Sequence, residues 1–353
     1  MTIPTEPIGS IPRPRRLLEA IAATDGADPA LSSLYEEAVR DTVEQFEATG
    51  SPVITDGEQR KYHNFWTYCV HGLPNTDRDG FKIPFSDGHV RRMPRLTAGP
   101  FRYSIYADSY LDLALKYARR PVKQAVISPS ALSLMYPLTE IPGYSRQQFI
   151  EDLINEHVTE VHNCLRKGAC KVQIDFTEGR LAVKLDPTGE LLANFIDLNN
   201  LALSRFTREE RGRIGIHTCP GSDRDSTHSV GVDYGELLRC LFELNVGSFY
   251  VALAGERNRP AVLEIIRQYL KPTQRVFVGV IDPIDPRIET PKIVRDRVVE
   301  AASYIPIEQL GTCDDCGFSP FCDDTTTSRE TAFEKIRARV VGTELASQFL
   351  GVK

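Results

Sequence analysis

The feature of this 353-residue sequence that most restricts its fold is a regular alternation. Short β-branched runs are separated by longer segments of helical period. The runs lie at 52–55, 124–127, 171–175, 213–217, 248–253 and 275–281, with weaker ones at 6–9 and 308–311. Several are apolar at every position, which suits parallel strands covered on both faces better than strands with one wet side. Between them the spacing predicts helices over 31–48, 111–119, 145–167, 190–208, 234–244, 261–270, 291–302 and 329–345. Ser145 supplies an N-cap for the third of these, and Gly168 its stop.

Eight strand–helix units in a chain of this length predict an α/β fold of the (β/α)8 TIM-barrel kind, one catalytic domain over residues 1–353. A doubly wound dinucleotide-binding sheet is disfavoured, because no Gly-x-Gly-x-x-Gly follows the first strand. Residues 74–108 break the rhythm. Asn75-Thr76-Asp77 and Asp79-Gly80 are turn signals, and 101–106 alternates like a strand, so a hairpin-containing insertion near one barrel mouth is expected.

Composition narrows the partners. Forty-two Lys+Arg against 48 Asp+Glu leave a formal charge of −6, which argues against a nucleic-acid partner. No apolar run approaches the roughly 20 residues needed to span a bilayer, so no membrane partner is expected. Met1 to Glu6 lacks the basic-then-apolar order of a signal peptide. Eight cysteines are too few for a disulfide scaffold of this size, and the reading is a cytoplasmic protein with free thiols. None of these features encodes an oligomeric state.

In a TIM barrel the chemistry sits at the C-terminal ends of the strands. His217-Thr218-Cys219 ends one predicted strand, and residues i and i+2 of an extended segment point to the same side. Cys316 follows the last predicted strand, so His217, Cys219 and Cys316 form a three-ligand set suited to Zn²⁺ with room for an exogenous ligand. Cys313 and Cys316 also make a C-x-x-C. It lacks the second pair of a zinc ribbon and the early strand–helix context of a redox motif. Cys69, Cys164, Cys170, Cys240 and Cys322 read as packing residues.

Glu58, in Asp56-Gly57-Glu58, and Asp175 are strand-end carboxylates. They suit acid–base work or a grip on a substrate ammonium, or else simply cap a turn. Ile8-Gly9-Ser10 offers a close backbone approach and a hydroxyl. Asp223, Asp225 and His228 follow the His-x-Cys as partners for a ligand or as a solvated loop.

Together these segments resemble the catalytic, C-terminal domain of cobalamin-independent methionine synthase and its relatives, zinc-dependent thiol alkyltransferases on TIM barrels. The resemblance runs over nearly the whole chain. Ile8-Gly9-Ser10 is similar to the substrate-binding turn, and Asp56-Gly57-Glu58 to the segment whose Glu holds the substrate amine. Gln173-Ile174-Asp175 is similar to a Gln-Ile-Asp whose Asp does similar work. His217-x-Cys219 and Asp315-Cys316-Gly317 are similar to the zinc-ligand motifs.

Three departures stand beside the likeness. Gln-Ile-Asp continues as Phe176-Thr177. Ala252 stands where the family has a carboxylate ligand, with Glu256 four residues on as a substitute. Ile281-Asp282-Pro283-Ile284 replaces a Tyr-Asp-Ile-His whose His is proposed to handle a proton. These departures resemble the short branch that includes epoxyalkane:coenzyme M transferase.

The resemblance implies a zinc-dependent alkyl transfer to a small-molecule thiol. His217, Cys219, Cys316 and Glu256 would hold the metal, while Glu58, Asp175, Ile8, Gly9 and Ser10 would receive the thiol. Methyl transfer from a 5-methyltetrahydrofolate-type donor to homocysteine suits the carboxylates. Epoxide opening by a sulfonate-bearing thiol would instead use cations such as Arg60, Arg180, Lys184 and Arg257. A uroporphyrinogen decarboxylase-like lyase, needing no metal, and a non-catalytic zinc-binding module are the remaining alternatives.

Overall fold

The computed structural model describes residues 2–24, 31–61, 64–229 and 231–352. Six strands form one parallel sheet in the order Leu310–Asp314, Arg275–Ile281, Ser248–Val251, Ile214–Thr218, Lys171–Asp175, Lys123–Ile127. Each neighbours its predecessor in sequence, and a helix returns the chain between most of them, as parallel pairing demands. Whereas the weaker run at 308–311 yields the full strand Leu310–Asp314, the predicted strands at 6–9 and 52–55 complete the wall as single bridges only, Thr5 beside Thr312 and Ile54 beside Val122, both parallel. They meet each other where Ile11 N–H donates to the Gly57 carbonyl at 3.0 Å and the Thr55 hydroxyl to the Gly9 carbonyl at 2.9 Å. Eight staves therefore close into the expected TIM barrel.

The helices follow the sequence where caps are clear. Arg146–Lys167 begins with a capping box between Ser145 and Gln148 and stops at Gly168 in the left-handed region. The expected helix over 190–208 divides into Glu190–Leu203 and Arg208–Gly212, because Thr207 and Glu210 form a second capping box and start a new turn. Short helices Arg15–Thr24, Pro129–Ser133 and Glu178–Leu185 escaped the periodicity argument.

Within the expected insertion, Lys82–Pro84 pairs antiparallel with Val90–Arg92, and Thr76–Asp77 with Arg95–Leu96. The strand expected at 101–106 does not form. Two of its backbone donors go instead to side chains, Phe101 N–H to the Tyr144 hydroxyl at 3.0 Å and Tyr103 N–H to Glu156 Oε2 at 3.0 Å, and Ser104 N–H goes to the Cys69 carbonyl. These partners leave no ladder for a strand to join. No helix is long and apolar enough to cross a membrane among the described residues.

Candidate metal centre and active site

Strand register builds the centre. Asp175 and His217 are Cα partners on adjacent parallel strands, so their side chains leave the barrel side by side. Cys219 lies two residues beyond His217 on the same side. Cys316 arrives from the last stave, where a register shift between Cys313 and Asp314 reorients the chain. Ligand atoms of His217, Cys219 and Cys316 all lie within 4.8 Å of one another, and all three residues are buried. The two sulfurs are 3.0 Å apart. The C-x-x-C is not a unit: the Cys313 thiol points to the Phe277 carbonyl among Ile8, Tyr250 and Phe277.

His217 Nδ1 lies 3.1 Å from Asp175 Oδ1. A ring whose Nδ1–H donates to a carboxylate presents the Nε2 lone pair outward, the usual orientation of a metal-binding imidazole. The hydrogen bond with Cys219, together with burial, pushes the Cys316 thiol well above its ordinary range, so thiolates form here together with a cation. One nitrogen and two sulfurs, buried and oriented by a carboxylate, fit zinc.

An acidic wall faces the trio. Gly57 and Glu58 take consecutive left-handed conformations (φ 67° and 57°), which turn the Glu58 side chain back across the mouth towards Gly9. Burial raises the Glu58 carboxyl to about 7; Lys61, 3.4 Å away, opposes this, while Asp175 and Asp56 add to it. Ile8, Ser10, Glu58, Asp175 and the trio line one cavity of about 50 Å³. Gly9 adjoins it through Glu58 Oε1, and the Ser10 hydroxyl accepts from Ser319 N–H at 3.2 Å.

The hairpin forms the roof. Ile83, Phe85 and Arg91 line the cavity together with Trp66 and Phe321. Asp223 anchors this roof rather than a ligand: its carboxylate takes His89 Nε2 at 2.7 Å and Arg91 Nε at 2.6 Å. His228 stands edge-on to Phe85 and bonds Ser229, and Asp225 is exposed. Glu256 is not brought into the trio. Its Oε1 is held by Arg180 at 2.6 Å, and Arg180 lies over the Tyr234 ring.

Several known proteins share this chain's whole length. A methionine synthase of Sulfurisphaera tokodaii is 23% identical over 351 residues, 99% of this chain and 94% of that protein. One of Methanothermobacter thermautotrophicus is 26% identical over 346 residues, 96% of each. No family model matches. Among solved structures, a B12-independent methionine synthase from a Shewanella species, in complex with selenomethionine, superposes with a TM-score of 0.76 at 19% identity, covering 100% of both chains. One from Listeria monocytogenes, described as a putative vitamin-B12-independent methionine synthase, gives 0.70 at 21% identity, covering 97% of this chain and 98% of that one. Sequence relatives and solved structures alike set the chain beside the superfamily of the cobalamin-independent methionine synthases, which it resembles over nearly its whole length.

Against that superfamily the floor of the site is altered. Ala252 packs on Cys219 and Cys316, where a carboxylate was expected. A second, larger cleft of about 700 Å³ opens beside Ala252 and Cys316. Asp315, unremarked in the sequence beyond its place before Cys316, is buried with both oxygens saturated by the N–H groups of Leu253, Ala254 and Gly255 at 2.7 to 2.8 Å. Gly279 is what admits it, since a Cβ there would stand 1.7 Å from Asp315 Oδ1. The Gly at 279 inside a β-branched run was the one signal of that close approach.

Proposed function

We propose that the protein transfers an alkyl group, in the first instance methyl, to the sulfur of an amino-acid thiol of the homocysteine class, in a zinc-dependent reaction. The observation that carries this reading is the placement of His217, Cys219 and Cys316 on the same small cavity as Glu58 and Asp175. Zinc held by those three residues would supply one thing: a substrate sulfur that ionises near neutral pH, although a free thiol has a pKa of about 8.5. The names of the sequence relatives agree with a methyl transfer of this kind.

The chain's own residues do the rest. Asp175 holds the His217 ring through Nδ1, and Glu58 and Asp175 put negative charge where an ammonium would sit. The aromatic roof of Trp66, Phe85 and Phe321 keeps water from the sulfur. Ala252 packs against Cys219 and Cys316 and brings no side-chain ligand of its own, which would leave a position for the substrate sulfur.

A sulfonate-bearing thiol finds less support. Arg60 donates to the Ser109 carbonyl, Arg180 pairs with Glu256, and Lys184 donates to the His228 carbonyl. Arg91, which does line the cavity, is held by Asp223 and Asp323. Titrating zinc-loaded protein with homocysteine and with coenzyme M, while following proton release, separates the two. Stoichiometric release with homocysteine and none with coenzyme M is expected; the reverse order would overturn the choice of thiol.

A further inference from the structure

The reading above accounts for the nucleophile and leaves the other end of the reaction open. As the thiolate sulfur attacks carbon, an S–C bond forms and the bond from carbon to the leaving nitrogen or oxygen breaks. The electron pair stays on the leaving atom, which then needs a proton. The second cleft, which reaches Cys316 and Ala252 from the side away from Glu58, is where that atom would lie. A proton donor must therefore line this cleft and have a free oxygen facing it.

Most of its titratable side chains are already committed. Glu256 is paired with Arg180. Asp233 caps the helix Tyr234–Leu241, accepting from Gly235 N–H. The Tyr234 hydroxyl donates to the Thr218 carbonyl at 3.3 Å. Asp315 spends both oxygens on three backbone donors. Asp225 sits on an exposed turn. Asp282 differs in what it combines: it is only partly exposed, unlike Asp225 and Asp233; no cation pairs with its carboxylate among the described residues, unlike Glu256; and it keeps one oxygen free, unlike Asp315. Its Oδ1 accepts from Ile284 N–H at 3.0 Å, while its Oδ2 has no hydrogen-bond partner among the described residues. Gly255, a wall of the cleft, leaves room for both Asp282 Oδ2 and Asp315 Oδ2: a Cβ on it would stand 3.2 Å and 3.4 Å from them.

We propose that Asp282 is the general acid of the alkyl transfer, giving the proton on its Oδ2 to the atom that leaves carbon in the second cleft. This rests on the thiol-alkylation reading and adds to it the group that completes the reaction. Burial raises the Asp282 carboxyl, which favours the protonated form. The groups around it are accounted for. Lys335 donates to the Asp282 carbonyl and to Glu289, Glu289 in turn accepts from Asp282 N–H, and Asp285 is paired with Arg287. Asp315 is a second carboxyl beside it, on the same side of Gly255. After transfer the Asp282 carboxylate recovers a proton from water, since the residue is only half-buried and its cleft is open.

Two small alkylating probes that differ in their leaving atom give the test. Ethylene oxide opens to an alkoxide that needs a proton, whereas iodide leaves methyl iodide without one. Both are offered to zinc-loaded, homocysteine-bound protein, wild type and Asp282→Asn. The variant is expected to lose ~100-fold or more of the epoxide rate and to keep the methyl iodide rate within about twofold. Equal losses with both probes, no loss with either, or a wild type that accelerates methyl iodide alone would each overturn the assignment of Asp282. A wild type that accelerates neither probe over free homocysteine would sink the thiol-alkylation reading itself, so the two failures are distinguishable.

Discussion

The two ends of the barrel both carry buried charge, and they settle it in opposite ways. At the N-terminal end Glu6 takes Lys171 Nζ at 2.8 Å, Lys123 Nζ at 3.6 Å and the Tyr250 hydroxyl. Burial works against the Glu6 carboxylate, yet the two lysines hold its pKa below the ordinary value. At the C-terminal end Asp56, Glu58 and Asp175 crowd together, Lys61 is the cation beside Glu58, and burial carries Glu58 up to about 7. One five-residue strand, Lys171–Asp175, contributes to both. Charge compensated within the chain serves the fold, whereas buried acid left over marks the place where a ligand completes the balance.

The largest effect should come from the metal ligands. Cys219→Ser and Cys316→Ala are expected to lose stoichiometric zinc, measured by elemental analysis, and to lower thiol alkylation by ~10³-fold or more, as loss of an activating metal does. Retention of stoichiometric zinc by either variant would count against the assignment. At the other end, Glu6→Gln leaves Lys123 and Lys171 without their carboxylate and should cost about 3–5 kcal/mol in urea unfolding. Its turnover per folded molecule should stay at the wild-type value. A Glu6 variant that is stable but inactive would erase the contrast between the two ends.

Asp175→Asn comes next, and it sharpens the contrast because it touches two functions. With the carboxylate behind His217 removed, zinc affinity should fall about 10–100-fold, read by competition with a chelator. Homocysteine affinity should fall as well once zinc is saturating, by calorimetry. A variant that loses zinc affinity alone would leave Asp175 as a metal-orienting residue with no part in holding the ammonium.

How much of this was legible in the sequence depends on whether the signal was local. The barrel could be read because each stave is a short apolar run beside a helix of regular period, and caps such as Ser145 mark their own boundaries. His217 and Cys219 could be paired because a period of two is a property of any strand. The run at 52–55 read as clearly as the others and the one at 6–9 only weakly, yet each stave makes a single bridge, at Ile54 and at Thr5, because strand-like residues do not by themselves fix how much ladder forms. The segment 101–106 misled because alternation records burial, and here the Phe101 and Tyr103 N–H groups go to tyrosine and glutamate side chains.

The finer parts of the site are long-range. Glu256 was the nearest acid in sequence to Ala252, but Arg180, on a helix after a different strand, claims it. Asp223 was legible as a polar residue near the ligands, and its role in holding down the hairpin depended on His89 and Arg91, more than 130 positions away. The saturation of Asp315 by three consecutive N–H groups depends on a loop that no spacing rule would place beside it.

The smallest effect separates the two ends by the sign of their pH dependence. Glu6 has a lowered pKa in the folded state, so its stabilising contribution is present above its unfolded value and is lost as pH falls through the folded one. Glu58 runs the other way. Its folded pKa of about 7 lies above the 4.5 of an ordinary glutamate, so the folded state binds that proton more tightly. That contribution is full below 4.5 and disappears as pH rises through about 7. Urea unfolding of metal-loaded wild type between those limits should carry a downward slope from Glu58 on the order of 1 kcal/mol per pH unit, reduced by the opposing charge of Lys61. Glu58→Gln should remove that slope and leave the acid-side loss due to Glu6 unchanged, while Glu6→Gln should do the converse. An ammonium placed against Glu58 favours its ionised form, so homocysteine should release a proton from wild type near pH 7 beyond the one its thiol gives up, and Glu58→Gln should release only the latter. Identical proton release from the two proteins would put the titrating carboxyl somewhere other than the wall of the thiol site.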